Sequence, residues 1–319
     1  MDKFSICLDI GGTKILGAIF NKNRDIVYRL KKKTKAKEGA QNVEETIVSV
    51  VEEMLEGYKI TIDDVDAISA GAPGVINQET GVILFSPNLP WRNYPIRKAL
   101  EDRFHTPFFI GNDVNVGVYG EWKHGAAQGL SQVAGLFIGT GMGGGLILDG
   151  KLYTGFDCKG AELGHIVLNT EGPRCNCGQR GCLEAFSSKL GMTDYIRQQI
   201  ERGRSTMMES AITEGIFKSK SMKSAYEAGD AVMIEAIDRA CHYLAVASGT
   251  LINIFSPEMI VYGGGVMEAL GDVFLEKIEA QIDAYCMPSI RDSVKLAKAE
   301  LGDDSILYGA RALIEDNEK

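Results

Sequence analysis

No stretch of this 319-residue chain is apolar for long enough to cross a bilayer, so a membrane-spanning role is not expected. Positive charge is scarce: 34 Lys and Arg against 43 Asp and Glu give a formal net charge of −9. A nucleic-acid partner needs a basic surface and is not expected either. The seven cysteines are an odd number and no secretory signal opens the chain. A disulfide framework is therefore not expected, and a reducing, cytoplasmic setting is. The phosphate-loop pattern G-x-x-x-x-G-K-[ST] is missing throughout. Low-complexity linkers are missing too. The hydrophobic content of 45% and charged content of 24% are those of an ordinary globular protein, long enough for two domains.

What the chain does have is concentrated between His165 and Glu184. One histidine and three cysteines stand as H-x9-C-x-C-x4-C, at His165, Cys175, Cys177 and Cys182. Imidazole nitrogen and thiolate sulfur are the ligands zinc prefers, and a Cys3His set makes a closed, structural tetrahedral site. The alternative is a disulfide with a spare thiol. Glu162 and Glu184 bracket the motif, so a metal there would brace a loop carrying two carboxylates. Cys158 and Cys286 are scattered, whereas Cys7 and Cys241 lie in apolar segments and read as buried small hydrophobes.

Two apolar runs are interrupted by glycine-rich turns. Phe4–Ile10 and Ile15–Phe20 flank Gly11-Gly12-Thr13-Lys14, and Val133–Gly139 and Leu146–Leu152 flank Thr140–Gly145. Strand, turn and strand therefore occur twice, a weak internal repeat that points to two related halves. Gly139-x-Gly141-x-x-Gly144 matches the dinucleotide fingerprint in letters only, because a strand rather than a helix follows it. Each turn is either a plain tight hairpin or a nest of backbone N–H groups for an anion. A third glycine run, Gly263–Gly265, follows the strand-like Pro257–Tyr262. Helical spacing covers Val43–Leu55, Ile96–Phe104, Val114–Lys123, Ala185–Glu201, Asp230–Phe255, Val266–Tyr285 and Ser305–Glu315. The basic cluster Lys31, Lys32, Lys33, Lys35 and Lys37 follows a strand-like stretch and reads as a solvated strand edge. The expected division is a small α/β domain over residues 1–115, joined by a C-terminal helix at 303–319, and a large one over 116–302.

Gly111-Asn112-Asp113 falls between a strand and a helix. Asp113 is either an N-cap or a carboxylate that takes a proton from a substrate hydroxyl. Asn112 beside it offers an amide to a hydroxyl.

These pieces together resemble the sugar kinases of the ROK family (repressor, open reading frame, kinase), and its bacterial glucokinases most. Asp9-Ile10-Gly11-Gly12-Thr13-Lys14 is similar to the first phosphate motif, Ile138–Gly145 to the second, and Gly263-Gly264-Gly265-Val266 to the adenosine motif. Glu162-Leu163-Gly164-His165 and Cys175–Glu184 resemble the two family signatures, and Ser86–Trp91 the sugar-side loop. The resemblance implies an α/β fold of the actin-like ATPase (ribonuclease H-like) class, two α/β domains around a central cleft. It implies ATP, Mg2+, a structural Zn2+, and a homodimer or homotetramer acting on small molecules. By position, Asp113 would be the base, and Gly71, Asn88, Asn112, Glu162, His165 and Glu184 would hold the sugar. Asp9, Gly11, Gly12, Thr13, Lys14, Gly139, Thr140, Gly141, Gly264 and Gly265 would hold ATP. His165 would serve metal and sugar at once, one ring nitrogen each. Repressors of the family carry a helix-turn-helix before the first phosphate motif, and Asp9 leaves no room for one here. The expected reaction is phosphoryl transfer to the 6-hydroxyl of glucose, towards which Trp91 inclines. Kinases of N-acetylmannosamine, N-acetylglucosamine, fructose or allose, and a non-catalytic sugar sensor, are the alternatives.

Overall fold

The computed structural model describes residues 3–317 other than Ile216. The chain forms two compact units. Unit 1 comprises Met1–Gln128, Leu152–Ala161 and Asp304–Lys319, and unit 2 comprises Gly129–Lys151 and Glu162–Asp303.

Unit 1 opens with the meander β1 (Phe4–Ile10), β2 (Lys14–Phe20) and β3 (Ile26–Lys33), followed by α1 (Ala40–Tyr58) and β4 (Val65–Ala72). A small antiparallel sheet of β5 (Val75–Asn77), β6 (Val82–Phe85) and β7 (Arg92–Tyr94) comes next. Then α2 (Ile96–Phe104), β8 (Phe108–Asn112) and α3 (Asp113–His124) complete this stretch. The main sheet runs β3-β2-β1-β4-β8, with β1 antiparallel to β2 and parallel to β4, and β4 parallel to β8. Both faces are covered. Strand alternation sends Ile6, Leu8 and Ile10 towards the apolar stripe of α1 (Val43, Ile47, Val50, Val51, Met54). Cys7, on the opposite face, packs with Val116, Leu307, Ala310 and Ile314. Two-faced burial explains why these strands read as apolar runs. The lysine-rich β3 is the edge strand, where Lys32 reaches Ser49 (2.9 Å) and Glu53.

Unit 2 repeats the plan. It contains β9 (Val133–Ile138), β10 (Met142–Leu148) and the first residue of β11 (Lys151–Tyr153), then α4 (Leu183–Ser187), α5 (Lys189–Glu201), α6 (Glu209–Thr213) and α7 (Ser219–Glu227). It continues through α8 (Ala231–Phe255), β12 (Met259–Gly263), α9 (Gly265–Ile282), α10 (Pro288–Arg291) and β13 (Lys295–Lys298). Its sheet runs β11-β10-β9-β12-β13, with the β9–β10 hairpin antiparallel and β9, β12 and β13 parallel. A last helix, α11 (Ser305–Asn317), belongs to unit 1. Cys7 and Cys241 are fully buried, and burial pushes both thiols up, as inert core cysteines require.

The helix expected over Ala185–Glu201 is two helices. Ser188 stands between them in an extended conformation (φ −74°, ψ 167°), and its hydroxyl accepts the Gly191 N–H. Helical periodicity continues across the break, so only the capping chemistry of Ser188 marks it. Among the described residues no helix is long and apolar enough to cross a membrane.

Candidate active site

In unit 1 the strand register places the candidates. Asp9 on β1 pairs with Gly71 on β4, and Gly71 pairs with Gly111 on β8. Asn112 and Asp113 follow at once. The three parallel strands thus deliver Asp9, Gly71 and the Asn112–Asp113 step to one sheet edge, their carboxyl ends, where open α/β sheets bind ligands. Gly71 has a packing reason of its own: a Cβ there would lie 2.5 Å from Ile306 Cγ2 and 3.2 Å from the Asp113 Cα.

Asn112, not Asp113, caps α3. Its Oδ1 accepts the Asn115 N–H at 3.0 Å, and its Nδ2 donates to the Gly74 carbonyl at 3.1 Å. Asp113 is the first helical residue, with Oδ1 accepting from the Val114 N–H at 2.9 Å. Its carboxylate lies in the first turn of a helix, where the backbone dipole favours negative charge.

The turn between β1 and β2 is closed by the Gly11 N–H donating to the Lys14 carbonyl at 2.9 Å. At Gly12 a Cβ would fall 2.7 Å from the Asn88 carbonyl oxygen, so the exposed Asn88 loop lies directly on the turn. Trp91 in that loop faces inward. It is 1% exposed, stacks on Tyr94, and its Nε1–H donates to the Ala40 carbonyl at 3.3 Å. The inclination towards glucose that Trp91 carried has no contact behind it, because this indole belongs to the core.

In unit 2 the turn between β9 and β10 is the hairpin read from the sequence, with the Gly139 N–H donating to the Gly141 carbonyl at 2.9 Å. The start of α5 ties down its other carbonyls. The Lys189 N–H donates to Gly139 and the Leu190 N–H to Thr140, each at 3.1 Å. Gly264, at φ 86°, stands between β12 and α9, and a Cβ there would lie 2.7 Å from the Ile138 carbonyl oxygen. Gly264 and Gly265 therefore open a helix beside the second turn.

Between a short 3-10 turn at Leu163–His165 and the start of α4 at Leu183, the segment carries two isolated bridges, Val167 with Cys182 and Arg174 with Arg180. Within it the ligand atoms of His165, Cys175, Cys177 and Cys182 lie within 4.8 Å of one another. Metal–sulfur bonds of about 2.3 Å and metal–nitrogen bonds of about 2.0 Å in a tetrahedron set sulfurs about 3.8 Å apart and sulfur and nitrogen about 3.5 Å apart. The Cys177 and Cys182 sulfurs are 3.7 Å apart, and Cys175 Sγ is 3.7 Å from His165 Nδ1. A disulfide at about 2.05 Å is excluded by that separation. Donor types and spacing both fit zinc. Burial pushes the Cys175 and Cys182 thiols up, and a coordinated cation reverses that preference.

Glu184 joins this cluster to the second turn. The Cys175 thiol donates to its Oε1 at 3.3 Å, and the Met142 N–H donates to its Oε2 at 2.9 Å. A Cβ on Gly141 would sit 2.6 Å from that Oε2. The glycine is where it is because a carboxylate passes there. Burial raises the carboxyl of Glu162 above the ordinary carboxylate range; His165 opposes the rise and Glu184 adds to it.

A model of the ROK family matches residues 5–317. The chain belongs to this family. It is 32% identical over 319 residues to a glucokinase of Halalkalibacterium halodurans, covering 99% of this chain and 96% of that one. To a glucokinase of Thermotoga maritima it is 32% identical over 313 residues, covering 98% and 97%. The crystal structure of a ROK family glucokinase from Streptomyces griseus, in complex with glucose and AMPPNP, matches with a TM-score of 0.82 at 28% identity, over 97% of this chain and 98% of that one. The fold is the actin-like ATPase class expected of ROK kinases.

Two contributors to the ROK turns escaped the sequence reading. Buried Thr34 donates its hydroxyl to the Gly11 carbonyl and its N–H to the Thr13 carbonyl at 3.0 Å. Its signal is register: β2 pairs Lys14 with Lys33, which puts Thr34 against Thr13. The other is the α5 start, where Ser188 at a capping position was the available clue.

Proposed function

We propose that this ROK protein is an ATP-dependent hexose kinase that transfers the γ-phosphoryl group to the 6-hydroxyl of glucose, with Asp113 as the base. The observation that carries the reading is the capping of α3 by Asn112. It makes Asp113 the first helical residue rather than the cap, at the carboxyl end of β8. Phosphoryl transfer asks for position and charge neutralisation more than for covalent help. Asp113 has only to accept the hydroxyl proton as the new P–O bond forms, which an ordinary carboxylate can do late in the step.

The supporting groups divide by unit. In unit 1, Gly11, Gly12, Thr13 and Lys14 present backbone N–H groups, a hydroxyl and a cation to phosphate oxygens, and Asn88 and the remaining N–H of Asn112 serve sugar hydroxyls. In unit 2, Gly139, Thr140 and Gly141 do the same for phosphate, and the α9 start at Gly264 and Gly265 takes the nucleoside side. Glu162 and Glu184 accept hydrogen bonds from sugar hydroxyls. His165 turns Nδ1 to the cysteines and keeps Nε2 for the sugar. Zinc held by His165, Cys175, Cys177 and Cys182 supplies rigidity to the loop. Mg2+ supplies charge neutralisation at the phosphates, with Asp9 the carboxylate placed to hold its water shell.

The test is ADP release with Mg-ATP across glucose, mannose, fructose, allose, N-acetylglucosamine and N-acetylmannosamine. Turnover highest on glucose and lost in Asp113→Asn is expected. Preference for another of these sugars would replace glucose in the reading. Sugar binding without ADP from any of them would overturn the kinase and leave a sensor.

A further inference from the structure

A cleft of roughly 660 Å³ in unit 1 shares no residue with the candidate active site. It is lined by Lys22, Asn23 and Arg24 from the turn between β2 and β3, by Lys123 and His124 at the end of α3, and by Arg311, Glu315 and Asp316 of α11. Among the described residues four permanent cations and two carboxylates line it. Its size is that of a small-molecule site.

Arg311 is the informative residue. It is 8% exposed, yet its Nε and Nη1 atoms are buried with no hydrogen-bond partner. Its nearest carboxylate oxygen is Glu315 Oε1, at 3.8 Å from Nε. Glu315 is overcommitted: the same oxygen accepts from Arg24 Nε at 2.8 Å, and its other oxygen is 4.0 Å from His124 Nε2. The His124 nitrogen is also buried without a hydrogen-bond partner. Leaving buried charged donors unmet is costly, so such groups normally face a partner. Lys123 has a sufficient structural reason to be there, because a cation in a last helical turn complements the dipole of α3. Arg311, in the middle of α11, has no such reason. Lys123 pairs with Asp316 at 3.0 Å, and Tyr119 donates to the same carboxylate.

We propose that this cleft binds a phosphate dianion, free or carried by a small metabolite, with Arg311 and Arg24 as its main donors. A planar guanidinium presents paired N–H groups that match phosphate oxygens. The ligand would add negative charge where Glu315 is shared among Arg24, Arg311 and His124. His124 reports on the site. Burial holds its pKa below the ordinary value; Glu315 opposes this, while Arg24, Arg311 and Lys123 add to the depression. Lys22 and Asp316 line the same cleft, and the Tyr308 ring lies 5.6 Å from the imidazole. A bound dianion must move the His124 titration to higher pH. The site is independent of the kinase reading, since none of its residues has a role there.

The experiment follows the four histidine ring signals of the full chain by NMR while inorganic phosphate, glucose 6-phosphate or sulfate is added, with affinities from calorimetry. A saturating non-hydrolysable ATP analogue keeps the active site filled throughout. Saturable phosphate binding that raises the His124 titration midpoint is expected. Arg311→Gln should weaken it at least tenfold and Arg24→Ala several-fold, while Glu315→Gln should tighten it by removing the competing carboxylate. Should Arg311→Gln fail to fold, the opposite signs at Arg24 and Glu315 still decide. Tighter binding of glucose 6-phosphate than of inorganic phosphate identifies the carried phosphate as the source, and equal binding identifies the free one. The absence of saturable binding, affinities that Arg24→Ala and Glu315→Gln leave unchanged, or a response to sulfate as strong as to phosphate would each overturn the proposal.

Discussion

Units 1 and 2 share one sheet plan, a central glycine-turn hairpin beside two parallel strands, and they use it differently. In unit 1 the candidate residues sit on regular elements, and pairing register alone aligns Asp9, Gly71 and Gly111. In unit 2 the two glutamates stand at the two ends of a largely irregular segment, Glu162 just before a short 3-10 turn and Glu184 in the first turn of α4. Glu184 is tied to the Cys175 thiol and to the backbone of the second turn. One sheet edge is preorganised by the fold, and the other by a cluster of side chains. The two glycine turns show the same division: Gly12 makes room for the Asn88 backbone, and Gly141 for the Glu184 side chain.

The largest expected effect breaks unit 1 alone. Asp113→Asn should lower kcat by about 10²–10⁴, the range for losing a positioned base, with little change in KM or stability. Asn112 keeps the helix capped, so a large fall in Tm would show that Asp113 has a structural duty after all. Breaking unit 2 comes next. Chelation of zinc, or Cys177→Ser at the exposed ligand, should cut kcat/KM for sugar by about 10–100-fold through the glutamates it releases. The far-UV spectrum should barely change, since neither sheet depends on the loop. Unaltered sugar KM and kcat after verified metal loss would refute the bracing role.

The glycine pair sharpens the comparison at smaller magnitude. Gly12→Ala meets a carbonyl oxygen at 2.7 Å, and backbone cannot swing aside. A stability loss of about 1–3 kcal/mol is expected, with a raised KM for ATP. Gly141→Ala meets the far end of Glu184 at 2.6 Å, which can rotate away. Here stability should hardly move. Sugar affinity should fall by roughly the 1–3 kcal/mol that an unmatched buried hydroxyl costs. Thermal melts and separate KM values for the two substrates distinguish the variants, and identical profiles would mean that the two turns are equivalent.

What the sequence made legible follows the same line. Apolar runs and helical spacing marked most of the long elements of both units, because two-sided burial and amphipathic faces leave strong periodic signals. The small sheet β5–β7 and the short helices α6 and α7 were missed, being too brief for a period to stand out. The convergence of His165, Cys175, Cys177 and Cys182 was readable because ligand chemistry is written in residue identity and spacing. The tie from Glu184 to the Met142 N–H was not, since it joins a side chain to a backbone group 42 positions away. Likewise, Asn112 and Asp113 are equally good caps by type, and only backbone geometry assigns the role.

Trp91 separates what a residue's chemistry permits from what its position allows. Trp91 inclines the sequence reading towards glucose, yet the indole is buried, stacked on Tyr94 and bonded to Ala40. Trp91→Phe removes that hydrogen bond and leaves a void. Stability should drop by about 1–3 kcal/mol, by the combined cost of a lost buried hydrogen bond and a small cavity. Because the ring reaches the sugar side only through the loop it anchors, the order of preference among hexoses should stay as it is in the parent protein. A change in that order, measured on the same six sugars with the melt as control, would return Trp91 to the specificity surface. It would also mean that the Asn88 loop of unit 1 moves on binding enough to turn its core outward.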